Sequence, residues 1–167
     1  MKHLKQLTGI ALSIVLLSGA AILRAEPAPQ VLGWIEKIVV ADTPLVMHAK
    51  LDTGADNTSI NVDHIEDFSR DGEPWVRFKI KDRRGMIADF ERPLLRMAQI
   101  KRKEGGHIKR PVVSLELCIA GQRLKTEVNL SRRSHFKYQT LLGRSLLAER
   151  FLVDSGHRYT TQPECSP

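Results

Sequence analysis

The sequence predicts an all-β domain, closed and barrel-like, with one short helix near its C-terminal end. Short runs of alternating apolar and polar residues recur along most of the 167-residue chain, and glycine, proline and aspartate mark the turns between them. Only residues 145–150 favour a helix. The length allows one domain and a targeting segment, so we interpret residues 33–154 as the domain and residues 155–167 as a C-terminal tail.

Residues 1–25 have the features of an export signal. Lys2 and Lys5 give a basic start, and residues 7–23 are nearly all apolar. Cleavage after the small residue Ala25 fits best, with Ala20 as the alternative. The apolar run is short for a membrane span, which favours a cleaved signal over a retained anchor, although the anchor stays open. We expect a periplasmic or secreted protein without stable membrane insertion after cleavage. Residues 26–32 follow as a Pro-rich linker.

The predicted strands follow from alternation between apolar and polar positions. Residues 63–72 are rich in charge and are interpreted as an irregular stretch that ends the third strand. The strands are expected at residues 32–40, 45–51 and 58–62, in a hairpin over residues 75–92, at residues 94–101, in a hairpin over residues 112–130, and at residues 141–142.

The strand over residues 45–51 ends in the sequence Asp52-Thr53-Gly54, followed by Ala55. Gly54 allows a sharp turn and a close approach of the backbone. The hydroxyl of Thr53 can lock the loop. The pattern therefore predicts that the carboxylate of Asp52 is presented at a strand end by a rigid frame, as an acid–base residue requires.

A second motif lies late in the chain, where an apolar strand breaks at Gly143-Arg144 and continues into a short helix. With Asp-Thr-Gly-Ala early and Leu-Leu-Gly-Arg late, the chain resembles the retropepsins, the single-domain aspartic proteases of retroviral type. Residues 33–154 are most similar to a bacterial branch whose members are often labelled ATP-dependent zinc proteases. The resemblance implies an acid-protease fold, aspartic endopeptidase activity with Asp52, Thr53 and Gly54 as the catalytic motif, and a structural role for Gly143 and Arg144.

The chain has one Asp-Thr-Gly sequence, whereas peptide hydrolysis by carboxylates needs two acids, one ionised and one protonated. Asp56 follows too closely to face Asp52 across a cleft. The resemblance therefore implies a homodimer in which Asp52 of one copy faces Asp52 of the other, with Thr53 bonded to the partner loop. Such a pair titrates as a unit.

Residues 104–109 resemble the glycine-tipped flap that retropepsins close over their substrate. Gly105, Gly106, His107 and Lys109 would contact the peptide, and the hairpin over residues 75–92 would be an addition to the viral fold. The basic residues around this tip indicate an acidic peptide substrate by charge complementarity. An ordinary solvated loop explains the same charges equally well.

Composition disfavours other functions. The net charge is +7, but the basic residues are scattered among acids and only 5% of residues are aromatic, which does not favour nucleic-acid binding.

No histidine or cysteine pattern predicts a metal site, and no glycine-rich phosphate loop is present, so we expect no cofactor despite the zinc and ATP of the branch label. Cys118 is interpreted as a buried small apolar residue, and its pairing with Cys165 stays open.

Two hypotheses remain. The first is an exported aspartic endopeptidase that acts as a homodimer on a peptide or protein. The second is a catalytically silent domain of the same fold that binds a peptide or an envelope partner, in which Asp52-Thr53-Gly54 persists only as a turn.

Overall fold

A computed structural model describes residues 28–101, 105–132 and 137–165, so the expected signal segment lies outside the described residues. These residues form twelve strands and one short helix: β1 (Gln30–Gly33), β2 (Ile35–Val40), β3 (Val46–Leu51), β4 (Thr58–Asn61), β5 (Asp63–Arg70), β6 (Glu73–Lys81), β7 (Ile87–Pro93), β8 (Arg96–Lys101), β9 (His107–Ile119), β10 (Gln122–Ser131), β11 (Thr140–Leu142), α1 (Arg144–Leu147) and β12 (Phe151–Asp154). The predicted all-β class with one short helix is confirmed.

Seven strands form the main sheet, in the order β10-β4-β11-β3-β2-β9-β8, and β10 also pairs with β9. These pairings connect six strands in a cycle, from which β8 extends along β9. The link between β2 and β9 is short, with Val39 opposite Cys118 and Val40 opposite Leu117. A closed barrel stays a prediction.

The core forms because one face of each main strand is apolar. In β3, Met47, Ala49 and Leu51 are buried, whereas the positions between them are half-buried. The separate sheet β5-β6-β7 joins the same core through Phe78 and Phe90, whose rings stack with their centroids 5.3 Å apart. Burying each such side chain contributes about 1.5–3 kcal/mol. The predicted hairpin over residues 75–92 is therefore present as β6 and β7 and helps to close the interior.

Three predicted boundaries differ from the structure. Residues 63–70, interpreted as irregular, form β5, because backbone pairing with β6 holds a strand whose side chains are mostly exposed on both faces and so do not alternate. The strand predicted over residues 32–40 breaks at Trp34, so that β1 pairs with β12 and β2 with β3. Consequently part of the linker expected over residues 26–32 lies in β1. The helix predicted over residues 145–150 ends at Leu147, and Glu149 has a φ of 67°.

The C-terminal tail is bound to the domain through the buried carboxylate of Glu36 and through a disulfide. Glu36 is fully buried and accepts hydrogen bonds from the Gly33 N–H and from the N–H and hydroxyl groups of Thr160 and Thr161. Cys118 and Cys165 form a disulfide with their Cα atoms 5.5 Å apart. The tail is thereby an integral part of the fold.

Candidate active site

Asp52 directly follows β3, which pairs with β2 on one side and with β11 on the other. Leu51 lies opposite Leu142, and the Asp52 N–H donates to the Leu142 carbonyl oxygen at 2.8 Å. A doubly paired strand of this kind has little freedom to move. The predicted presentation of Asp52 on a rigid frame agrees with this geometry.

The turn after Asp52 folds back onto its carboxylate. The Gly54 N–H donates to Asp52 Oδ1 at 3.1 Å, and the Ala55 N–H donates to the Asp52 carbonyl oxygen at 3.1 Å. A Cβ atom on Gly54 would lie 3.3 Å from Oδ1, which is a tight contact. Glycine therefore serves here for close approach to the acid.

The late Gly143-Arg144 motif docks on this same loop. The Arg144 guanidinium donates to the Thr53 carbonyl oxygen at 2.8 Å and pairs with Asp56. A Cβ atom on Gly143 would lie 2.6 Å from the Asn57 carbonyl carbon, so only glycine fits beside that backbone. The structure thus brings together Asp52, Thr53, Gly54, Gly143 and Arg144. Thr53 is exposed, and its expected bond to a partner loop stays a prediction.

Asp52 lines a pocket of about 420 Å³, and its side chain is 25% exposed. Lys50 Nζ lies 3.5 Å from Asp52 Oδ2. The rings of Trp34 and Tyr138 meet edge to face, with centroids 5.9 Å apart. The lining residues are Trp34, Lys50, Asp52, Lys137, Tyr138, Thr140 and Leu141.

Sequence reasoning missed Trp34, Lys50 and Tyr138 as pocket residues. Lys50 carried a signal, because residues two apart on an extended strand point to the same face, which places its side chain beside that of Asp52. Trp34 carried none, since it reaches the pocket only because the chain bends between β1 and β2.

The glycine-tipped hairpin is present. β8 and β9 pair with Lys101 opposite His107 and Gln99 opposite Lys109, and Gly105 and Gly106 have φ values of 91° and 76°. Residues 102–104 lie outside the described residues. Within the described ranges, none of the residues that line the Asp52 pocket comes from this hairpin, so its action as a flap stays a prediction.

Within the same described ranges, the side chain of Asp52 contacts Gly54 and Lys50 but no second carboxylate. Asp56 is instead turned toward Arg144. A single carboxylate cannot both accept a proton from water and donate one to a carbonyl oxygen.

The described part of the chain contains no group of three or more His, Cys, Asp or Glu side chains placed to hold a metal ion. Across the same residues, no helix has the length and apolar character needed to cross a membrane.

Comparison with known proteins identifies relatives of two kinds. Proteins named probable alpha-L-glutamate ligase from Shewanella pealeana and Shewanella halifaxensis are each 32% identical over 114 residues, which is 66% of this chain and 25% of theirs. The chain therefore spans about a quarter of their length. The crystal structure of Lpg0085 from Legionella pneumophila, a protein of unknown function (DUF785), matches with a TM-score of 0.68 and 32% identity, over 80% of this chain and 98% of that one.

The family comparison confirms the resemblance drawn from the two motifs. The model of a family described as RimB-like, retropepsin-like aspartic endopeptidase RimB, matches residues 31–164, which include both the Asp52 loop and the docked tail. The chain belongs to this family of retropepsin-like aspartic endopeptidases.

Proposed function

We propose that this chain is an aspartic endopeptidase whose catalytic pair consists of Asp52 from each of two copies. One observation carries the proposal: Asp52 stands at the end of a doubly paired strand, and no second carboxylate of the described residues contacts it. Family membership indicates the class of reaction. A two-fold axis beside the exposed Thr53-Gly54 loop would bring the missing acid from a partner.

In this mechanism the two carboxylates share one proton, because two negative charges about 3 Å apart are strongly disfavoured. The ionised carboxylate removes a proton from water, and the water oxygen bonds to the carbonyl carbon of the peptide. The protonated carboxyl group donates its proton to the carbonyl oxygen, which gives a tetrahedral diol. The carboxyl group that took the proton from water then gives it to the departing nitrogen as the C–N bond breaks. One diol hydroxyl returns its proton to the other carboxylate, which leaves a carboxylic acid product and restores the pair with one shared proton.

The sheet formed by β1 and β12 has a surface that agrees with contact to a second chain. Val31 and Leu152 are 57% and 56% exposed and lie opposite each other in the β1–β12 pair. That two-stranded sheet has a free edge on each side within the described residues. Exposed apolar side chains beside unpaired strand edges are typical of surfaces that another chain covers.

The substrate we propose is an acidic peptide. The hairpin presents exposed Lys101, His107 and Lys109, and half-buried Arg110 has no carboxylate partner among the described residues. Burial lowers the pKa of Arg110, as expected for a guanidinium without a compensating anion. The relatives are named for ligation of glutamate, an acidic amino acid, which supports the same substrate class.

The compartment we propose is the periplasm or the exterior of the cell. The basic and apolar residues 1–25 support it, and the Cys118–Cys165 disulfide agrees with an oxidising environment. Sequencing the N-terminus of protein from the source cell should find a start near Glu26. A soluble cytoplasmic protein that still begins at Met1 would contradict export.

A second candidate function is peptide binding without cleavage. The relatives are named as ligases, and this chain matches only about a quarter of their length. A domain that holds an acidic peptide for another activity would need the Asp52 pocket but not a second Asp52.

The experiment that separates these candidates compares Asp52→Asn with Asp56→Asn. Both changes remove one carboxylate from the same loop, and Asp56 is exposed and turned toward Arg144. Each purified protein is incubated with a peptide library, and the products are read by mass spectrometry. The proposal predicts that Asp52→Asn alone abolishes cleavage while both variants stay folded. Unchanged cleavage by Asp52→Asn would refute it, and no cleavage by the wild-type dimer would favour the binding domain.

A further inference from the structure

Two lysine residues line the Asp52 pocket. Lys50 lies on the same face of β3 as Asp52, and Lys137 enters from the segment before β11. The Lys50 Nζ to Asp52 Oδ2 distance of 3.5 Å is long for a charge-assisted hydrogen bond, which is ordinarily about 2.7–2.9 Å. The Lys50 ammonium makes no short bond to Asp52, so it is available to a second anion.

Lys137 has no acidic partner among the described residues. Its Nζ lies 5.7 Å from the centroid of the Tyr138 ring. Its carbonyl oxygen accepts a hydrogen bond from Arg83 at 2.7 Å, which ties the backbone of this segment to the β6–β7 turn. The backbone at Lys137 is thus held, and the residue is part of the pocket lining.

The charges in the pocket do not balance. Lys50 and Lys137 contribute two positive charges against the single carboxylate of Asp52. In the proposed dimer the two copies would contribute four ammonium groups, whereas the catalytic pair would carry only one negative charge because it shares a proton. An anionic group from the ligand would balance the excess.

The walls of the pocket fit a side chain with a short aliphatic stem. Trp34 and Tyr138 meet edge to face and offer aromatic surface beside the two ammonium groups. A glutamate side chain has methylene groups that pack on such surface and a carboxylate that reaches a cation. A glutamine side chain has the same shape but no charge.

We propose that Lys50 and Lys137 form a subsite that binds the carboxylate of an acidic residue beside the peptide bond that is cut. The inference rests on the proposed endopeptidase function, and it deepens that function by naming the residues that determine specificity. The alternative role for Lys50, which is to neutralise Asp52, would affect acidic and neutral peptides alike.

Two matched peptide libraries test the subsite. They differ only in carrying glutamate or glutamine at each position around the scissile bond, and the measured quantity is the ratio of kcat/KM for the two. We expect the wild-type protein to prefer glutamate by about ten-fold or more at one position. Lys50→Gln and Lys137→Gln should each bring that ratio toward one. Lys79→Gln is the matched control, since Lys79 is a half-exposed lysine paired with Asp89 away from the pocket.

A binding measurement distinguishes failure of the subsite from failure of the proposed function. The glutamate peptide and its glutamine counterpart are titrated into the Asp52→Asn protein, and Trp34 fluorescence is followed in a Trp75→Phe background. Selective binding of the glutamate peptide, lost in Lys50→Gln, supports the subsite even if the wild-type protein cuts nothing. Cleavage with equal rates for both libraries would overturn the subsite and leave the endopeptidase standing. Equal loss on both libraries in Lys50→Gln would also overturn it.

Discussion

Arg144 donates a hydrogen bond to the main-chain oxygen of Thr53 at 2.8 Å, across 91 residues of sequence. The bond ties the start of the only helix in the described residues to the loop that carries Asp52. Backbone bonds from Arg144 to Ala55 and from Ser145 to Asp56, both 2.9 Å, reinforce the contact. The two motifs that identified the family in the sequence are therefore halves of one structural unit.

Arg144→Gln should reduce catalysis more than stability. Arg144 is half-exposed, so its pairing with Asp56 contributes little, and losing the bond to Thr53 should lower the free energy of unfolding by about 1 kcal/mol. The loop beside Asp52 would lose its fixed position, and we expect turnover to fall by about ten-fold or more. Urea denaturation and steady-state rates measure the two effects. Asp56→Ala, which removes only the ion pair, is the control, and equal rate losses in both variants would contradict the role given to the Thr53 bond.

Gly143→Ala should destabilise the protein by about 2–3 kcal/mol, because the new methyl group would overlap the Asn57 backbone. The backbone at Gly143, with φ −93° and ψ 174°, suits any residue, so the cost is steric. Gly72→Ala is the comparison variant, in which the cost comes from the backbone conformation and not from a steric contact. Its surroundings are open but its φ is 83°, and about 1 kcal/mol of backbone strain is expected. The midpoints of urea denaturation measure both losses of stability. A larger loss in Gly72→Ala than in Gly143→Ala would refute this account.

Glu36→Gln should loosen the C-terminal tail. The carboxylate accepts bonds from Gly33, Thr160 and Thr161, whereas an amide offers one acceptor oxygen and turns two donors toward the others. We expect a loss of about 2–4 kcal/mol in unfolding free energy and faster proteolysis of residues 155–165. Glu116→Gln, an exposed glutamate paired with Arg123, should change stability by less than about 0.5 kcal/mol. Similar effects of the two changes would show that the buried carboxylate does not hold the tail.

Asp82 should make the protein sensitive to acid. Burial by itself raises the pKa of this carboxyl group, but bonds from the Arg84 side chain and from the Met86 and Arg84 N–H groups outweigh it, so the pKa lies below its ordinary value of 3.8. A group with a depressed pKa stabilises the fold above its unfolded pKa and loses that contribution as the pH falls through the folded pKa. Asp82→Asn should therefore be less stable than wild type at neutral pH, and the difference should narrow toward about pH 3. Urea denaturation at both pH values measures it, with exposed Asp89→Asn as the control. A difference independent of pH would contradict the assignment.

The parts of the site that were predictable are those in which geometry demands a particular residue type. Gly54 and Gly143 lie where a Cβ atom would crowd a carboxylate or a backbone. Only glycine meets that requirement, so both positions could be recognised in the sequence. The position of Asp52 after an alternating strand followed from the same kind of reasoning.

The parts that were not predictable depend on partners far apart in sequence. Glu36 lies in an apolar strand and accepts a hydrogen bond from Thr160, which is 124 residues away. No local pattern in either segment predicts this pairing. β5 was missed because neither face is consistently buried, so its alternation is absent. For Lys50 the sequence indicates a side chain on the same face as that of Asp52, but the 3.5 Å distance between the two charged groups is visible only in the fold.

The most direct test of the shared catalytic pair is a mixing titration. Wild-type and Asp52→Asn chains are co-refolded at a fixed total concentration that saturates the dimer, and cleavage is measured as the wild-type fraction varies. A mixed dimer, in which only one of the two chains keeps Asp52, lacks the second carboxyl group, so it cannot supply a base and an acid together. Only wild-type pairs should therefore cut, and the rate should follow the square of the wild-type fraction, to about one quarter at equal mixing. A rate that falls in direct proportion, to about one half, would mean that each chain acts alone and would contradict the account.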